Sequence, residues 1–119
     1  MSRTRKSARA AGTRFETLIA AYLSLHLDDR IERRRQGGAK DRGDISGLRV
    51  RGQRVVVECK DVSRMSLSAW ITETETERGN DDAGVGMVVH KRRGKGQPGD
   101  QYVTMTLADL VSLINGERP

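Results

Sequence analysis

One apolar segment that ends in charged residues most constrains how this chain can fold. Three consecutive valines stand before Glu58, and β-branched residues favour extended structure, so we predict a strand over Arg54–Lys60. A turn containing Gly52 and a short strand over Asp44–Leu48 come before it. The two strands should fold back on each other as a hairpin, which would bring Asp44 near Glu58.

The alternation of side chains along a strand decides which residues of this segment act together. Val56, Glu58 and Lys60 share one face, while Cys59 points to the other. An unpaired charge at the end of an apolar strand is costly, so Glu58 and Lys60 need partners there. Two carboxylates and an ammonium group near one point can hold a divalent metal and produce a nucleophilic water. The alternative interpretation is a surface Glu58–Lys60 ion pair, with Asp44 as a turn residue.

The charge of the chain points to a polyanionic partner. Lys and Arg total 22 against 16 Asp and Glu, which gives a net charge of +6. The basic residues are clustered near the N-terminus, before Asp44 and after residue 90, and a phosphate backbone is their simplest partner. Solvated charged surface or a ribosome-type tail is the alternative for each cluster. The sequence contains no basic amphipathic helix with a broad apolar face, so we expect no membrane partner.

The single cysteine, Cys59, excludes an intramolecular disulfide and a cysteine-based zinc site. Its strand position predicts a packed core thiol rather than a nucleophile. No apolar run approaches the length of a signal peptide or a membrane span. We therefore expect a soluble, cytoplasmic protein, and the basic clusters lead us to expect that it is DNA-associated.

Length and patterning predict one α/β domain. We expect a flexible basic arm over residues 1–9 and a single domain over residues 10–119, with a central mixed sheet of four or five strands flanked by α-helices. The remaining elements are predicted as a helix over Thr13–Leu27, a weak strand over Ile31–Arg35, a glycine loop over residues 36–40, a crossover helix over Ser66–Arg78, a strand over Gly84–His90, a basic loop over residues 91–100, an edge strand over Gln101–Met105 and a helix from Thr106 through Ile114.

The crossover segment is the most ambiguous of these elements. Alternating threonine and glutamate over Thr72–Glu77 has the period of a strand. Leu67, Trp70, Ile71 and Thr74 nevertheless form a helical stripe, and a crossover between neighbouring strands normally needs a helix. Within such a helix Glu73 and Glu77 share one face by their i, i+4 spacing. Whether either glutamate joins the site is left open by the sequence.

Three segments, in this order and at this spacing, resemble the PD-(D/E)xK nuclease superfamily and, within it, the Holliday junction resolvase-like endonucleases. They are Gly12–Glu16, Gly37–Ile45 and Val55–Lys60. The resemblance covers roughly residues 12–90. It implies a restriction endonuclease-like fold with an αβββαβ core. The chain departs from the pattern at Gly43, where many members carry proline.

The resemblance also implies roles for individual residues. Asp44 and Glu58 would ligate Mg²⁺, for which Mn²⁺ can substitute, with the Cys59 carbonyl as a third ligand. Lys60 would orient or help deprotonate the attacking water, and Glu16 would complete the catalytic set. A solvated helical glutamate is the alternative for Glu16.

The function implied is a magnesium-dependent, structure-specific DNA endonuclease, and the resemblance favours a Holliday junction resolvase. Symmetric cutting of two strands needs two active sites, so we expect a homodimer on branched duplex DNA. The chain has only 3% aromatic residues, which favours duplex backbone over stacked single strands as the target. Another nuclease of the superfamily (flap, nicking, repair or restriction-type) and a non-catalytic DNA-binding protein are the alternatives. Candidate phosphate contacts are Arg14, Arg33, Arg34, Arg35, Lys40, Arg42, Lys91, Arg92 and Arg93.

Overall fold

The computed structural model of the protein describes residues 3–35 and 40–119. Along the chain the elements are α1 (Arg5–His26), β1 (Glu32–Arg33), β2 (Ile45–Ser46), β3 (Arg49–Val50), β4 (Gln53–Lys60), α2 (Leu67–Asn80), β5 (Val85–His90), a short 3₁₀ turn (Pro98–Asp100), β6 (Tyr102–Thr104) and α3 (Leu107–Asn115). Within the described residues, no helix combines the length and the apolar character needed to cross a membrane.

The strands form one mixed sheet. Its order is β1-β2-β4-β5-β6, and β3 pairs with the start of β4. Only β4 and β5 run parallel, with Glu58 opposite Val88, and the connection between them is α2. The predicted α/β class with a central mixed sheet is confirmed. Over residues 3–35 and 40–119 the sheet has six strands rather than four or five, because β3 forms a separate two-residue ladder beside the Gly52 turn.

The two faces of β4 carry different layers. Phe15 and Ile19 of α1 pack with Val57 and Cys59 in the main core. On the opposite face α2 lies close to the sheet, since a Cβ added to Gly86 would be only 3.1 Å from the Thr74 methyl carbon. The predicted alternation along β4, with the Cys59 thiol in the core, is therefore confirmed.

The crossover segment is helical, as predicted, and its threonines are accommodated within the helix. The hydroxyls of Thr72, Thr74 and Thr76 each donate to the carbonyl four residues earlier, at distances from 2.8 to 3.2 Å. These bonds satisfy polar groups that would otherwise favour other backbone conformations. Ser66 holds the N-cap position of α2 without a side-chain capping bond.

Helix α1 begins eight residues before the predicted start at Thr13. Thr4 caps it, because the Thr4 Oγ1 accepts a hydrogen bond of 3.1 Å from the Ser7 N–H. The arm predicted over residues 1–9 is thus helical from Arg5 onward. The reason is local: residues 5–11 are rich in Ala, Arg and Lys, which favour helix without needing an apolar face.

Helix α3 follows β6 and lies against β5. Thr106 caps it by accepting from the Asp109 N–H at 3.1 Å, as the Thr106–Asp109 spacing predicted. The Asp109 carboxylate in turn accepts from the Gly86 N–H at 3.1 Å. The side chain therefore takes the place of a neighbouring strand along this part of β5.

Candidate metal centre

The loop before Asp44 has a backbone that only glycine adopts easily. Gly43 has φ +93°, and a Cβ there would lie 2.9 Å from Val56 Cγ1 and 3.1 Å from the Val57 carbonyl oxygen. Proline fixes φ near about −65°, so it cannot occupy this position without rebuilding the loop. The departure at Gly43 from the superfamily pattern is therefore a structural requirement of this chain.

This loop places Asp44 beside the last residues of β4. The Asp44 N–H donates to the Val57 carbonyl at 2.9 Å, and the Asp44 Oδ2 accepts from the Cys59 N–H at 2.9 Å. The Asp44 carboxyl also lies beside that of Glu58. The prediction that the hairpin brings Asp44 near Glu58 is confirmed.

Helix α2 brings two more acids to Glu58. One carboxylate oxygen from each of Asp41, Glu58, Glu73 and Glu77 lies within 4.8 Å of the others, and we call this set the carboxylate cluster. Such oxygen-rich surroundings can hold a metal ion. Both Glu73 and Glu77 thus lie in the carboxylate cluster, whereas the sequence left open whether either comes near Glu58.

Asp41 was not among the residues predicted from the sequence. Its Oδ1 accepts from the Gly43 N–H at 2.9 Å, and its carbonyl accepts from the Asn80 side chain at 2.7 Å. The aspartate is therefore fixed between its own loop and the end of α2. The local signal was an aspartate two residues before a glycine, which is typical of a side-chain-stabilised turn.

Several oxygens of the carboxylate cluster lack hydrogen-bond donors. Glu77 is 1% exposed and Glu58 is 4% exposed. Neither oxygen of Glu77, nor the Oε1 of Glu58, has a hydrogen-bond partner among the described residues. Buried ionised carboxylates are costly unless they are paired. A bound cation would supply the missing partner, so the residues present fit a metal ion.

One ammonium group reaches the carboxylate cluster. Lys60 Nζ lies 3.1 Å from Glu73 Oε2 and 3.9 Å from Glu58 Oε2. The predicted proximity of Glu58 and Lys60 is confirmed, and Glu73 is the closer partner. One lysine cannot balance the four acids of the cluster and the neighbouring Asp44, so the local charge remains negative.

The crowding of these acids changes their titration. Burial, and then the neighbouring Asp44, Glu73 and Glu77 carboxyls, raise the pKa of Glu58 far above its ordinary range. Burial raises the pKa of Glu77 to about 8. The pKa of Glu73 is lowered, chiefly by its hydrogen bond with Glu58 and then by Lys60. Without a cation, the cluster therefore retains protons at neutral pH.

Glu16 lies near Asp44 but outside the carboxylate cluster. Its Oε1 is 3.0 Å from Arg33 Nε. Burial and the charge of Asp44 raise the pKa of Glu16, against the opposing effect of Arg33. The glutamate predicted to complete the site is thus close to Asp44 and paired with an arginine. Its catalytic role stays a prediction, as does the metal-ligand role of the Cys59 carbonyl.

The candidate phosphate contacts are distributed over several surfaces. Arg33 pairs with Glu16, whereas Arg34 and Arg42 lie 3.9 and 4.0 Å from Asp81. Arg14, Arg35 and Lys40 are exposed, and Lys91, Arg92 and Arg93 line a cavity next to Lys60. The predicted glycine loop lies largely outside the described residues, since only Lys40 of residues 36–40 is described.

Comparisons of this chain with known proteins found no relative. No protein-family model matches the chain, and comparisons with curated proteins and with solved structures gave no significant match. The resemblance to the PD-(D/E)xK superfamily therefore stays a prediction from the motif residues. The site has to be interpreted from its own geometry.

Proposed function

We propose that this protein is a divalent-metal-dependent endonuclease that hydrolyses phosphodiester bonds in DNA. The observation that carries the proposal is a carboxylate cluster whose two buried members have donor-free oxygens, beside Asp44 and Lys60. Structural acids in protein interiors are normally paired, and a bound cation is one partner that buried acids without donors would have. A lysine beside such a site suits chemistry on a phosphate.

The side chains of the site would have two roles in hydrolysis, metal binding by the acids and orientation of water and phosphate by Lys60. Glu58, with Asp41, Glu73 and Glu77, would hold Mg²⁺, and Asp44 would hold it from the end of the hairpin. When bound, the ion supplies charge stabilisation on the phosphate and lowers the pKa of a bound water. The nearby acids, Glu73 first, outweigh burial and raise the pKa of Lys60, so its ammonium stays charged. In that state Lys60 orients water and phosphate as a hydrogen-bond donor.

The charge around the site supports DNA as the substrate. The chain carries a net charge of +6, and Lys91, Arg92 and Arg93 lie beside Lys60 at the ends of the parallel strands β4 and β5. Cations next to an acidic metal site can hold the backbone that the metal acts on. Substrate affinity and chemistry would then come from adjacent but distinct residues.

A cleavage assay with separate binding measurements tests the proposal. Wild type should cut DNA in Mg²⁺, and Asp44→Asn and Glu58→Gln should each lower the rate at least about 100-fold while DNA affinity changes little. Glu75→Gln is the matched control, because Glu75 lies on α2 between Glu73 and Glu77 but pairs with Arg78. DNA binding without any metal-dependent cleavage by wild type would leave a non-catalytic DNA-binding protein.

A Holliday junction resolvase is the most specific form of the proposal. Paired cuts across a four-way junction need two sites, so the chain would act as a homodimer. Self-association is supported by α3, whose apolar side chains Leu107, Leu110, Val111 and Ile114 are exposed. Because such side chains gain from burial against apolar surface, a second copy of α3 is a fitting partner.

Substrate choice and assembly state separate a resolvase from other nucleases. A resolvase should cut a synthetic four-way junction in preference to a flap or linear duplex, and sedimentation should show dimers. Mixtures with Glu58→Gln should nick a cruciform without completing resolution. Monomers on DNA, or equal cutting of linear duplex, would favour a flap, nicking, repair or restriction-type enzyme instead.

A further inference from the structure

A cavity of about 860 Å³ opens next to the carboxylate cluster. It lies where the parallel strands β4 and β5 end, and Lys60 and His90 contribute to its wall. The start of α2 and the strand β6 bound it on other sides through Trp70 and Tyr102. Its size falls within the range of about 300–1,000 Å³ that is typical of small-ligand sites. Lys60 is shared between this cavity and the candidate metal centre.

Aromatic side chains form one wall of the cavity. The ring of His90 lies between those of Trp70 and Tyr102, with centroids 5.4 and 5.5 Å away. A 2.8 Å hydrogen bond between His90 Nε2 and Thr104 Oγ1 holds the middle ring in place. Tyr102 is 46% exposed, whereas Trp70 and His90 are buried behind it, so Tyr102 is the ring of this wall that a ligand can reach.

The position of these rings is informative because the chain has so few. The sequence contains one Trp, two Tyr and one Phe, and two of these four residues line this cavity. Met65, which also lines it, is 57% exposed. Low aromatic content led us to favour contacts with duplex backbone over stacking of single strands. Half of the aromatic residues present thus lie beside the candidate metal centre, where the exposed ring of Tyr102 can stack on a flat apolar group.

Cations form the rim of the same cavity. Arg3, Lys91, Arg92 and Arg93 line it together with one acid, Asp61. Asp61 is in contact with Arg3, whose Nη1 donates to the Asp61 carbonyl at 2.8 Å. The guanidinium of Arg92 lies 5.5 Å from the centre of the Tyr102 ring. An aromatic wall with a cationic rim matches the two parts of a nucleotide, the base and the phosphate.

We propose that this cavity binds one unpaired nucleotide of the DNA substrate next to the phosphate that is cut. The base would stack on the side of Tyr102, and its phosphates would contact Lys91, Arg92 and Arg93. The inference rests on the proposed nuclease function and deepens it, because it names the substrate class. A paired base has to leave its stack to enter such a pocket, whereas a base at a branch, flap or single-stranded end is already free.

Binding in a chelator tests the pocket without any cleavage. DNA duplexes that differ by one unpaired nucleotide at a branch would be compared, and that nucleotide would be replaced by an abasic one in a third duplex. Wild type should bind the duplex with the unpaired base about tenfold more tightly than the other two, as stacking of one base predicts. Tyr102→Ala should remove most of this preference.

Matched controls separate the pocket from general effects on the protein. Val103→Ala changes the next residue of β6, which is 52% exposed and points to the other face, so it should keep the tenfold preference. Arg92→Gln and Arg93→Gln should weaken binding of all three duplexes. Arg51→Gln, at the turn before the opposite end of β4, should not.

Two results would overturn the proposal that this cavity binds an unpaired nucleotide. One is equal affinity of wild type for the paired, unpaired and abasic duplexes, and the other is an unchanged preference in Tyr102→Ala. Failure of the nuclease proposal would look different. Wild type would then show the base preference and its loss in Tyr102→Ala, yet cut none of these duplexes in Mg²⁺.

Discussion

Two acids in this protein are buried to the same extent but have opposite surroundings. Glu77 and Asp109 are each 1% exposed. Asp109 accepts hydrogen bonds from the Gly86 N–H, the Thr106 hydroxyl at 2.8 Å and Arg118 at 2.6 Å. No backbone N–H, hydroxyl or cation among the described residues donates to either oxygen of Glu77, and its neighbours are other carboxyls, so the donor within reach is a proton shared with Glu58.

The difference appears in how the two groups titrate. Burial opposes ionisation of Asp109, but Arg118, Thr106 and the Gly86 N–H outweigh it, and the pKa lies below its ordinary value. Burial raises the pKa of Glu77 to about 8. Depth of burial alone therefore does not distinguish the two acids. The donors around each carboxylate do, because Asp109 is held by fixed donors at α3, whereas Glu77 on α2 lies among other acids in the proposed metal site.

The largest expected effect on stability is at the paired acid. Asp109→Asn would leave Arg118 without its closest acid, at a cost of about 3 kcal/mol in the free energy of unfolding. Urea unfolding followed by circular dichroism measures this. Asp100→Asn, an exposed position, should change stability by less than about 0.5 kcal/mol. If Asp109→Asn behaved like Asp100→Asn, the contrast between the two regions would disappear.

The unpaired acid should respond in the opposite direction. Glu77 has a folded pKa of about 8, above its ordinary value of 4.5, so the folded state holds the proton more tightly than the unfolded state. Its contribution to stability is complete below about pH 4.5 and is lost as the pH rises through about 8. Without metal, wild type should therefore lose stability between pH 5 and pH 9.

Glu77→Gln removes this ionisable group and should reduce that loss. In a chelator at pH 9 the variant should be more stable than wild type by about 2 kcal/mol, because position 77 then holds no buried charge that lacks a fixed donor. At pH 5 the two should be nearly equal. Glu75→Gln, whose residue pairs with Arg78 and Arg118, serves as the control. A lower stability of Glu77→Gln at pH 9 would show that Glu77 is structural.

A bound divalent cation should pair the donor-free oxygens of the carboxylate cluster and so stabilise the protein. With Mg²⁺ at ten times its dissociation constant, wild type should gain about 1.4 kcal/mol of stability. Thermal unfolding with and without Mg²⁺ would show the gain as a higher Tm. Glu58→Gln should lose the gain and Glu75→Gln should keep it. An equal response in both variants would place the cation elsewhere.

The parts of this fold that the sequence predicted are those set by local backbone geometry. Alternation along β4 placed Glu58 and Lys60 on one face and Cys59 in the core. The hairpin brought Asp44 beside Glu58, and the spacing of Thr106 and Asp109 predicted the cap of α3. Each of these relations spans a turn or a few residues, so pattern alone decides it.

The parts that the sequence did not predict depend on contacts between distant residues. Asp41 enters the site because Asn80, 39 residues later, holds its carbonyl. Arg34 and Arg42 meet Asp81 at the end of the same helix, so two candidate DNA contacts are paired with an acid. The i, i+4 spacing put Glu73 and Glu77 on one face of α2. Only packing of α2 on the sheet turned that face toward Glu58.

The smallest expected effect is on the salt dependence of DNA affinity, where cations paired with acids can be compared with cations that are not. Arg33 and Arg34 already have acidic partners, whereas Arg35 is exposed, so neutralising all three should lower the slope of log affinity against log salt by only about 1. Neutralising Lys91, Arg92 and Arg93 should lower it by about 2–3, because these residues line the cavity beside the site. Duplex binding measured from about 50 to 200 mM salt gives both slopes. Equal slopes for the two triple variants would mean that pairing with acids does not decide which arginines contact DNA. An unchanged slope in the variant with Arg33, Arg34 and Arg35 neutralised would mean that these arginines are surface charge only.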